Sequence, residues 1–331
     1  MWTQNIPKVE LHCHLDGSIP LSVIKGLCQK EKIAIPGSEG AFRKLVEADE
    51  NCESLREYLE AFKLPLFCLA TEEAFYEAAY GEAVEASTEG VLYQELRFSP
   101  LLSEKPGLSS ESIIEAAIEG LARAKAECGI HVELLLCGMR HFTEAQNFRI
   151  LELTKKYLSR GVCGADLAGD EAAFANEKFL SYFKRASAMD IPLTVHAGEC
   201  GRAKNIEIAV LQGARRIGHG IAMSKNEQLL EMLCKMNIGV ELCPNSNLQT
   251  KAVSSWQDYP FREFLERGIK ISINTDNRTV TNTTITNELN VLKEKFALAK
   301  METTAIMKQA METSFAEESL KKAIIEKLSF D

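Results

Sequence analysis

Eight short apolar runs, separated by longer amphipathic stretches, restrict the folds that this sequence can adopt. Each run has the length and composition of a buried strand, and stretches such as Ser109–Glu127 and Lys225–Met236 have the period of a helix. Eight strands that alternate with helices predict a (β/α)8 barrel, with a doubly wound open sheet as the alternative fold. The predicted strands are Val9–His14, Val91–Phe98, His131–Met139, Val162–Leu167, Ile191–His196, Arg216–His219, Ile238–Leu242 and Ile269–Asn274.

Two segments are longer than a barrel requires. Residues 18–88 follow the first strand and contain several helical patterns, among them Glu53–Phe67 and Glu72–Ser87. Because barrel active sites open at the C-terminal ends of the strands, an insertion that leaves the first strand there can serve as a lid. The tail Thr284–Leu328 is rich in Ala, Glu, Lys and Met, which predicts further helices. We find no linker or repeat, and we predict a single barrel domain over residues 1–331.

The composition is that of an acidic globular protein. Of the 331 residues 46% are apolar, which is enough for a large core, and the net charge of −9 argues against a nucleic-acid or anionic-membrane partner. The ten cysteines are scattered without a C-x-x-C pair, a distribution typical of reduced thiols in the cytosol. The sequence shows neither a leader nor an apolar run of membrane-spanning length. We therefore expect a complete, cytoplasmic chain, and leave its oligomeric state open.

The first predicted strand contains the pattern His12-Cys13-His14. In a strand, residues i and i+2 project from the same face, so the two imidazoles point the same way while Cys13 points the other way. Two neighbouring imidazoles at a strand end form half of a transition-metal site. The pattern alone is equally compatible with two structural histidines, and the interpretation depends on further ligands.

Three further polar residues end predicted strands: His196 the fifth, His219 the sixth and Asp276 the eighth. All strands of a barrel open on one face, so we expect His12, His14, His196 and Asp276 to converge there. Three imidazoles and one carboxylate suit Zn²⁺, with Fe²⁺, Mn²⁺ and Co²⁺ as alternatives. Structural zinc sites are typically cysteine-rich and local, so ligands spread along the chain predict a catalytic ion with an open position for water.

Three nearby residues are candidates for proton transfer and substrate contact. Glu199 lies three residues after His196, close enough to donate and accept a proton without binding the ion. His219 can orient the attacking hydroxide. Asp16 lies two residues after His14, faces the same mouth and can accept a hydrogen bond from a substrate hydroxyl.

Five motifs, in this order along nearly the whole chain, resemble those of the adenosine deaminase family of the amidohydrolase superfamily. The resemblance implies a zinc-bearing (β/α)8 barrel that hydrolyses adenosine, and 2′-deoxyadenosine, to the inosine product and ammonia. The motifs are Pro7-Lys8-Val9-Glu10-Leu11-His12-Cys13-His14-Leu15-Asp16-Gly17-Ser18, Asp166-Leu167-Ala168-Gly169-Asp170-Glu171, His196-Ala197-Gly198-Glu199, Gly218-His219-Gly220 and Asn274-Thr275-Asp276.

The resemblance also implies roles for individual residues. Glu199 would protonate purine N1, His219 would assist the attack of hydroxide on C6, and Asp276 would take the proton from water. In the family, the residue at the position of Asp16 binds the 5′-hydroxyl of the nucleoside. The backbone N–H at the position of Gly169 contacts purine N3, and the residue at the position of Asn277 contacts N7. The implied ligands of one zinc ion per chain are His12, His14, His196 and Asp276, and the implied substrate contacts are His14, Asp16, Gly169 and Asn277.

Two details bear on the substrate. Related adenine deaminases tend to have Glu at the position of Asp16, so this chain favours the nucleoside. Animal members usually have a second Asp after Asp276, whereas this chain has Asn277-Arg278 and resembles the bacterial members. Two alternatives remain open: the same chemistry on adenine or another adenosine-containing metabolite, and a nucleoside-binding protein without catalysis. The sequence disfavours the latter because no implied ligand or acid–base residue is missing.

Overall fold

The computed structural model describes residues 2–49, 52, 55–200 and 202–328. All eight predicted strands are present. The fifth strand begins three residues later than predicted, because Pro192 has no N–H to donate to a sheet. The strands are β1 Lys8–His14, β2 Val91–Phe98, β3 His131–Met139, β4 Val162–Ala168, β5 Thr194–Ala197, β6 Arg216–His219, β7 Gly239–Leu242 and β8 Lys270–Ile273.

The strands form two parallel four-stranded sheets, in the orders β1-β2-β3-β4 and β5-β6-β7-β8. Hydrogen bonds cross both seams: Ala165 N–H donates to the Pro192 carbonyl (2.9 Å), and His14 N–H donates to the Asp276 carbonyl (2.7 Å). A doubly wound sheet reverses its strand order, whereas here each strand neighbours the next along the chain. The (β/α)8 barrel is therefore confirmed, and the open-sheet alternative is wrong.

Helices connect the strands and extend the chain beyond the barrel. Ser109 caps the helix Ser110–Cys128, since its hydroxyl accepts a hydrogen bond from Ser112 N–H (3.0 Å). Short 3₁₀ turns cover Pro100–Leu102, Asn176–Phe179, Ile221–Met223 and Trp256–Asp258. The helices are α1 Trp2–Asn5, α2 Leu15–Ser18, α3 Leu21–Lys30, α4 Glu39–Arg43, α5 Leu55–Glu60, α6 Lys63–Cys68, α7 Glu72–Thr88, α8 Ser110–Cys128, α9 Glu144–Tyr157, α10 Leu180–Ala188, α11 Ala203–Leu211, α12 Glu227–Met236, α13 Pro244–Gln249, α14 Phe261–Glu266, α15 Ile285–Phe296, α16 Lys300–Thr313 and α17 Glu318–Lys327.

The insertion between β1 and β2 is helical, as predicted, but one of its helices is divided. The predicted helix Glu53–Phe67 consists of α5 and α6, and its first two residues lie outside the described residues. Pro65 explains the break, because it lacks the N–H that a continuous helix would direct at the Ala61 carbonyl. The predicted helical tail is confirmed as α15, α16 and α17.

The core is one continuous apolar cluster of strand and helix side chains. A second, smaller cluster joins the insertion to the loop after β8 and contains Cys52, Tyr58, Ala61 and Val280. Among the helices of the described residues, none has the length and apolar content needed to cross a membrane.

Candidate metal centre and substrate pocket

Four side chains meet at the C-terminal mouth of the barrel, as the sequence predicts. Nε2 of His12 and Nε2 of His14 lie 3.2 and 3.4 Å from Oδ1 of Asp276. Nε2 of His14 lies 3.2 Å from Nε2 of His196. Tetrahedral zinc bonds of 2.0–2.1 Å place ligand atoms about 3.3 Å apart. These three separations are those expected between ligand atoms of one divalent ion.

The backbone of β1 and of the chain after β8 brings these side chains together. Asp276 N–H donates to the His12 carbonyl (3.0 Å), and His14 N–H donates in return to the Asp276 carbonyl. Asp276 adopts a left-handed conformation with φ of +62°. Such a φ costs a non-glycine residue roughly 1–3 kcal/mol and is typical of functional sites. The reciprocal bonds with β1 hold Asp276 in this conformation.

Buried carboxylates orient two of the imidazoles. Nδ1 of His12 lies 2.8 Å from Glu241, and Nδ1 of His196 lies 2.9 Å from Asp166. A carboxylate on Nδ1 fixes the tautomer that leaves the Nε2 lone pair free for a metal. Nε2 of His12 is buried and has no hydrogen-bond partner among the described residues. An unpartnered buried nitrogen of this kind fits a metal ligand.

Two buried arginines balance the negative charges of the Asp166 and Glu241 carboxylates. Arg97 lies 3.0 Å from Asp166 and 2.9 Å from Glu241, and Arg216 lies 2.6 Å from the second oxygen of Glu241. Burial alone would raise the pKa of Glu241, but the Arg97 and Arg216 charges hold that pKa well below its usual range. The sequence analysis missed Glu241, Arg97 and Arg216. Their signal was the presence of charged residues inside predicted buried strands, where unpaired charges are rarely tolerated.

Glu199 lies on the turn after β5, and Glu171 holds that turn. The Glu171 carboxylate accepts hydrogen bonds from the N–H groups of Gly198 (2.7 Å), Glu199 (3.0 Å) and Cys200 (3.2 Å). Gly198 has φ of +73°, a conformation that favours glycine. Glu171 belongs to a motif that the sequence analysis noted, but its contact with the Glu199 turn was not predicted.

His219 ends β6 in a left-handed conformation with φ of +66°. Its Nε2 lies 3.7 Å from the Glu199 carboxylate. Nδ2 of Asn247 lies 2.9 Å from Nδ1 of His219, and because an amide nitrogen only donates, Nδ1 accepts this bond. Neutral His219 consequently has its proton on Nε2. His219 belongs to a group of four residues that each have one atom able to bind a metal, and these four atoms lie within 4.8 Å of one another. The other three residues are His12, His196 and Asp276.

The three other predicted substrate contacts surround the same mouth. Asp16 is the second residue of α2, which follows β1 directly; its Oδ1 is buried without a partner among the described residues, and burial raises its pKa to about 6. Gly169 follows β4 with φ of +100°. Asn277 is buried beside Asp276, and its Nδ2 donates to the Tyr58 hydroxyl (2.9 Å). The insertion thus contributes Tyr58 to this pocket, which the sequence analysis did not anticipate.

A parallel barrel with three histidines and one aspartate at its strand ends defines the metal-dependent hydrolases of the amidohydrolase type. The sequence model of the family described as "Adenosine deaminase" matches residues 7–330. The chain belongs to the adenosine deaminase family and is a hydrolase. The resemblance inferred from the five motifs is thereby confirmed.

Individual relatives agree with this assignment. The chain is 40% identical over 325 residues to the adenosine deaminase of Enterococcus faecalis, covering 98% of this chain and 96% of that protein. It is 37% identical to the adenosine deaminase of Clostridium acetobutylicum, covering 98% and 97% of the two chains. A crystal structure of the Arabidopsis N6-mAMP deaminase superimposes with a TM-score of 0.86 at 28% identity, covering 99% and 98% of the two chains.

Proposed function

We propose that this chain, acting as a single barrel domain, hydrolyses adenosine and 2′-deoxyadenosine to inosine and 2′-deoxyinosine. Water adds its oxygen to C6 of the purine, the C6–N bond breaks, and ammonia leaves. The observation that supports this proposal best is the spacing of the His12, His14, His196 and Asp276 ligand atoms. The family assignment supports deamination as the reaction.

The ligand set that we propose for one Zn²⁺ ion is His12, His14, His196 and Asp276. When bound, the ion would act as a Lewis acid that lowers the pKa of water to ~7 and makes hydroxide available at neutral pH. Asp276 is suited to accept the proton that water releases, because its carboxylate faces the mouth and is only 5% exposed. Ser246 donates to its other oxygen (2.5 Å), which keeps the carboxylate oriented.

Two side chains are positioned to act on the substrate during attack. We assign Glu199 as the acid that protonates N1 and so makes C6 electrophilic. Its backbone is held by Glu171, while its side chain is 14% exposed and free to reach a ligand. His219 has the Nε2 proton that donates to the attacking oxygen. Since Asn247 fixes this tautomer, His219 orients the oxygen without a change in protonation.

The remaining contacts would select the nucleoside. Asp16 has a buried oxygen that no described residue contacts through a hydrogen bond, and this oxygen suits the 5′-hydroxyl of the ribose. We assign the Gly169 N–H to N3, the Asn277 amide to N7, and the His14 ring to the wall against which the substrate packs. A free base would leave Asp16 unpaired, and a 5′-phosphate would place negative charge beside a carboxylate. Both effects favour a nucleoside over adenine and over a nucleotide.

A second candidate substrate is an N6-substituted nucleotide. It is suggested by the similarity to the Arabidopsis N6-mAMP deaminase. The Asp16 carboxylate disfavours it for the electrostatic reason given above.

Ammonia release from a panel of purines tests the proposal. We expect turnover of adenosine and 2′-deoxyadenosine, and a kcat/KM at least roughly 100-fold lower for adenine, AMP and N6-methyl-AMP, since each of these loses or opposes the Asp16 contact. Preferred turnover of adenine or of a nucleotide would refute the substrate assignment. No ammonia from any purine would refute the function.

A further inference from the structure

The amide of Asn277 is confined on both sides. On one side its Nδ2 donates to the Tyr58 hydroxyl, which itself lies 2.7 Å from Oγ1 of Thr281. On the other side, a Cβ atom added to Gly17 would lie 2.0 Å from Oδ1 of Asn277, so only glycine leaves room for the amide there. The side chain is 4% exposed. These contacts come from three separate parts of the chain: α2, the insertion and the loop after β8.

The Tyr58 hydroxyl contacts the nitrogen of the Asn277 amide, whereas Oδ1 lies towards Gly17, buried and without a partner among the described residues. When the Tyr58 hydroxyl donates to Thr281, its lone pair accepts one N–H of Asn277. The second N–H of that amide then remains for a ligand acceptor. If the amide turned over, Oδ1 would take the place of this N–H and repel an acceptor such as purine N7.

The insertion holds Tyr58 firmly at this position. Ala48 N–H donates to the Val280 carbonyl (2.8 Å), which ties the insertion to the loop after β8. Cys52, Ala61 and Val280 pack around the Tyr58 ring, which is 2% exposed. The hydroxyl therefore approaches Asn277 from a fixed direction.

We infer that Tyr58 is a positioning residue for purine recognition: its hydroxyl fixes the Asn277 amide so that an N–H group faces N7. This inference rests on the proposed function, because it needs a purine nucleoside in the pocket. Selectivity for a nitrogen acceptor at position 7 of the purine ring then depends on Tyr58 of the insertion and not on the barrel alone.

Tyr58→Phe removes the hydroxyl and keeps the ring. We expect kcat/KM for adenosine to fall about 5- to 20-fold, the effect of one lost polar contact. 7-Deazaadenosine has C–H in place of N7, so its inhibition constant as a competitive ligand should change less than about twofold, because it lacks the acceptor concerned. The control is Tyr93→Phe, which removes a buried hydroxyl bonded to Glu95 and Glu133 near the start of β2. Tyr93→Phe should lower the midpoint temperature of unfolding. It should leave unchanged the ratio of kcat/KM for adenosine to the inhibition constant of 7-deazaadenosine.

A double-mutant cycle with Asn277→Ala completes the test. Without the amide, the Tyr58→Phe change should have less than about a twofold further effect on adenosine, because the inference assigns the effect of Tyr58 on the purine to its contact with Asn277 and not to its contacts with Thr281 and Ser246. Any of three results would overturn the inference. In Tyr58→Phe, adenosine and 7-deazaadenosine could be weakened equally, or the ratio of their two constants could stay unchanged. In the cycle, the effects of the two substitutions could be additive.

The two possible failures are separate. If wild-type protein releases no ammonia from adenosine, the proposed function fails and the role of Tyr58 fails with it. If wild-type protein is active but Tyr58→Phe keeps full discrimination between the two ligands, only the role of Tyr58 is refuted.

Discussion

The inner and outer walls of the pocket are held by different interactions. The inner wall consists of strand residues, with His12 and His196 backed by the buried charges of Glu241, Asp166 and Arg97. The outer wall consists of Asp16, Gly17, Tyr58 and Asn277, which come from α2, the insertion and the loop after β8. Between Tyr58 and Asn277 the outer wall uses a neutral hydrogen bond, and Oδ1 of Asp16 is buried there without a partner among the described residues.

This difference separates chemistry from recognition. Charged pairs across parallel strands fix the imidazoles before any ligand arrives, because moving one member would leave the other buried and unpaired. Within the part of the chain that the structure describes, Oδ1 of Asp16 has no partner, and a substrate hydroxyl can supply the missing bond. We therefore expect inner-wall changes to affect metal binding or turnover, and outer-wall changes to affect substrate selection.

Metal removal should have the largest effect. Because we propose one ion site at the inner wall, treatment with a strong chelator should abolish deamination, and added Zn²⁺ should restore it. Metal analysis alongside the adenosine assay measures this, and circular dichroism checks that the barrel stays folded. Full turnover by metal-free protein would contradict the prediction.

Glu199→Gln comes next. Glutamine has the size of glutamate but no acidic proton to transfer to N1. We therefore expect kcat to fall by about 10²–10⁴-fold while the protein retains close to one metal ion. The matched control is Glu207→Gln, which neutralises an exposed glutamate paired with Lys204. Loss of the metal in step with activity would instead identify Glu199 as a ligand.

The Glu241→Gln variant tests most directly whether the inner and outer walls have different roles. An amide on Nδ1 of His12 cannot balance Arg97 and Arg216, so metal affinity should fall about 10- to 100-fold. Competition with a chromophoric chelator measures this affinity. Asp16→Ala is the matching outer-wall variant and should leave metal affinity unchanged. If both variants lose metal affinity equally, the division into two walls is wrong.

Asp16→Ala should have the narrowest effect, confined to substrates that have the 5′-hydroxyl. The lost contact with the 5′-hydroxyl is worth about 1.5–3 kcal/mol, so KM for adenosine should rise roughly 10- to 100-fold. For 5′-deoxyadenosine, which lacks that hydroxyl, KM should hardly change. A parallel rise for both nucleosides would refute the contact.

Much of the fold could be read from local patterns. Alternating apolar runs and helical periods located all eight strands, because burial of a strand in a parallel sheet leaves a continuous apolar run in the sequence. The errors were also local: Pro192 shortened β5, and Pro65 divided a predicted helix. Both follow from the missing N–H of proline, which the sequence already displayed.

The sequence by itself determined the barrel and the convergence of His12, His14, His196 and Asp276, because parallel strands bring their C-terminal ends to one face. Only the tertiary structure decided what supports these side chains. Glu241 lies 229 positions from His12, and Tyr58 lies 219 positions from Asn277. Contacts at such separations leave no periodic trace along the chain. They arise when ring closure and the folding of the insertion place distant side chains within hydrogen-bond distance.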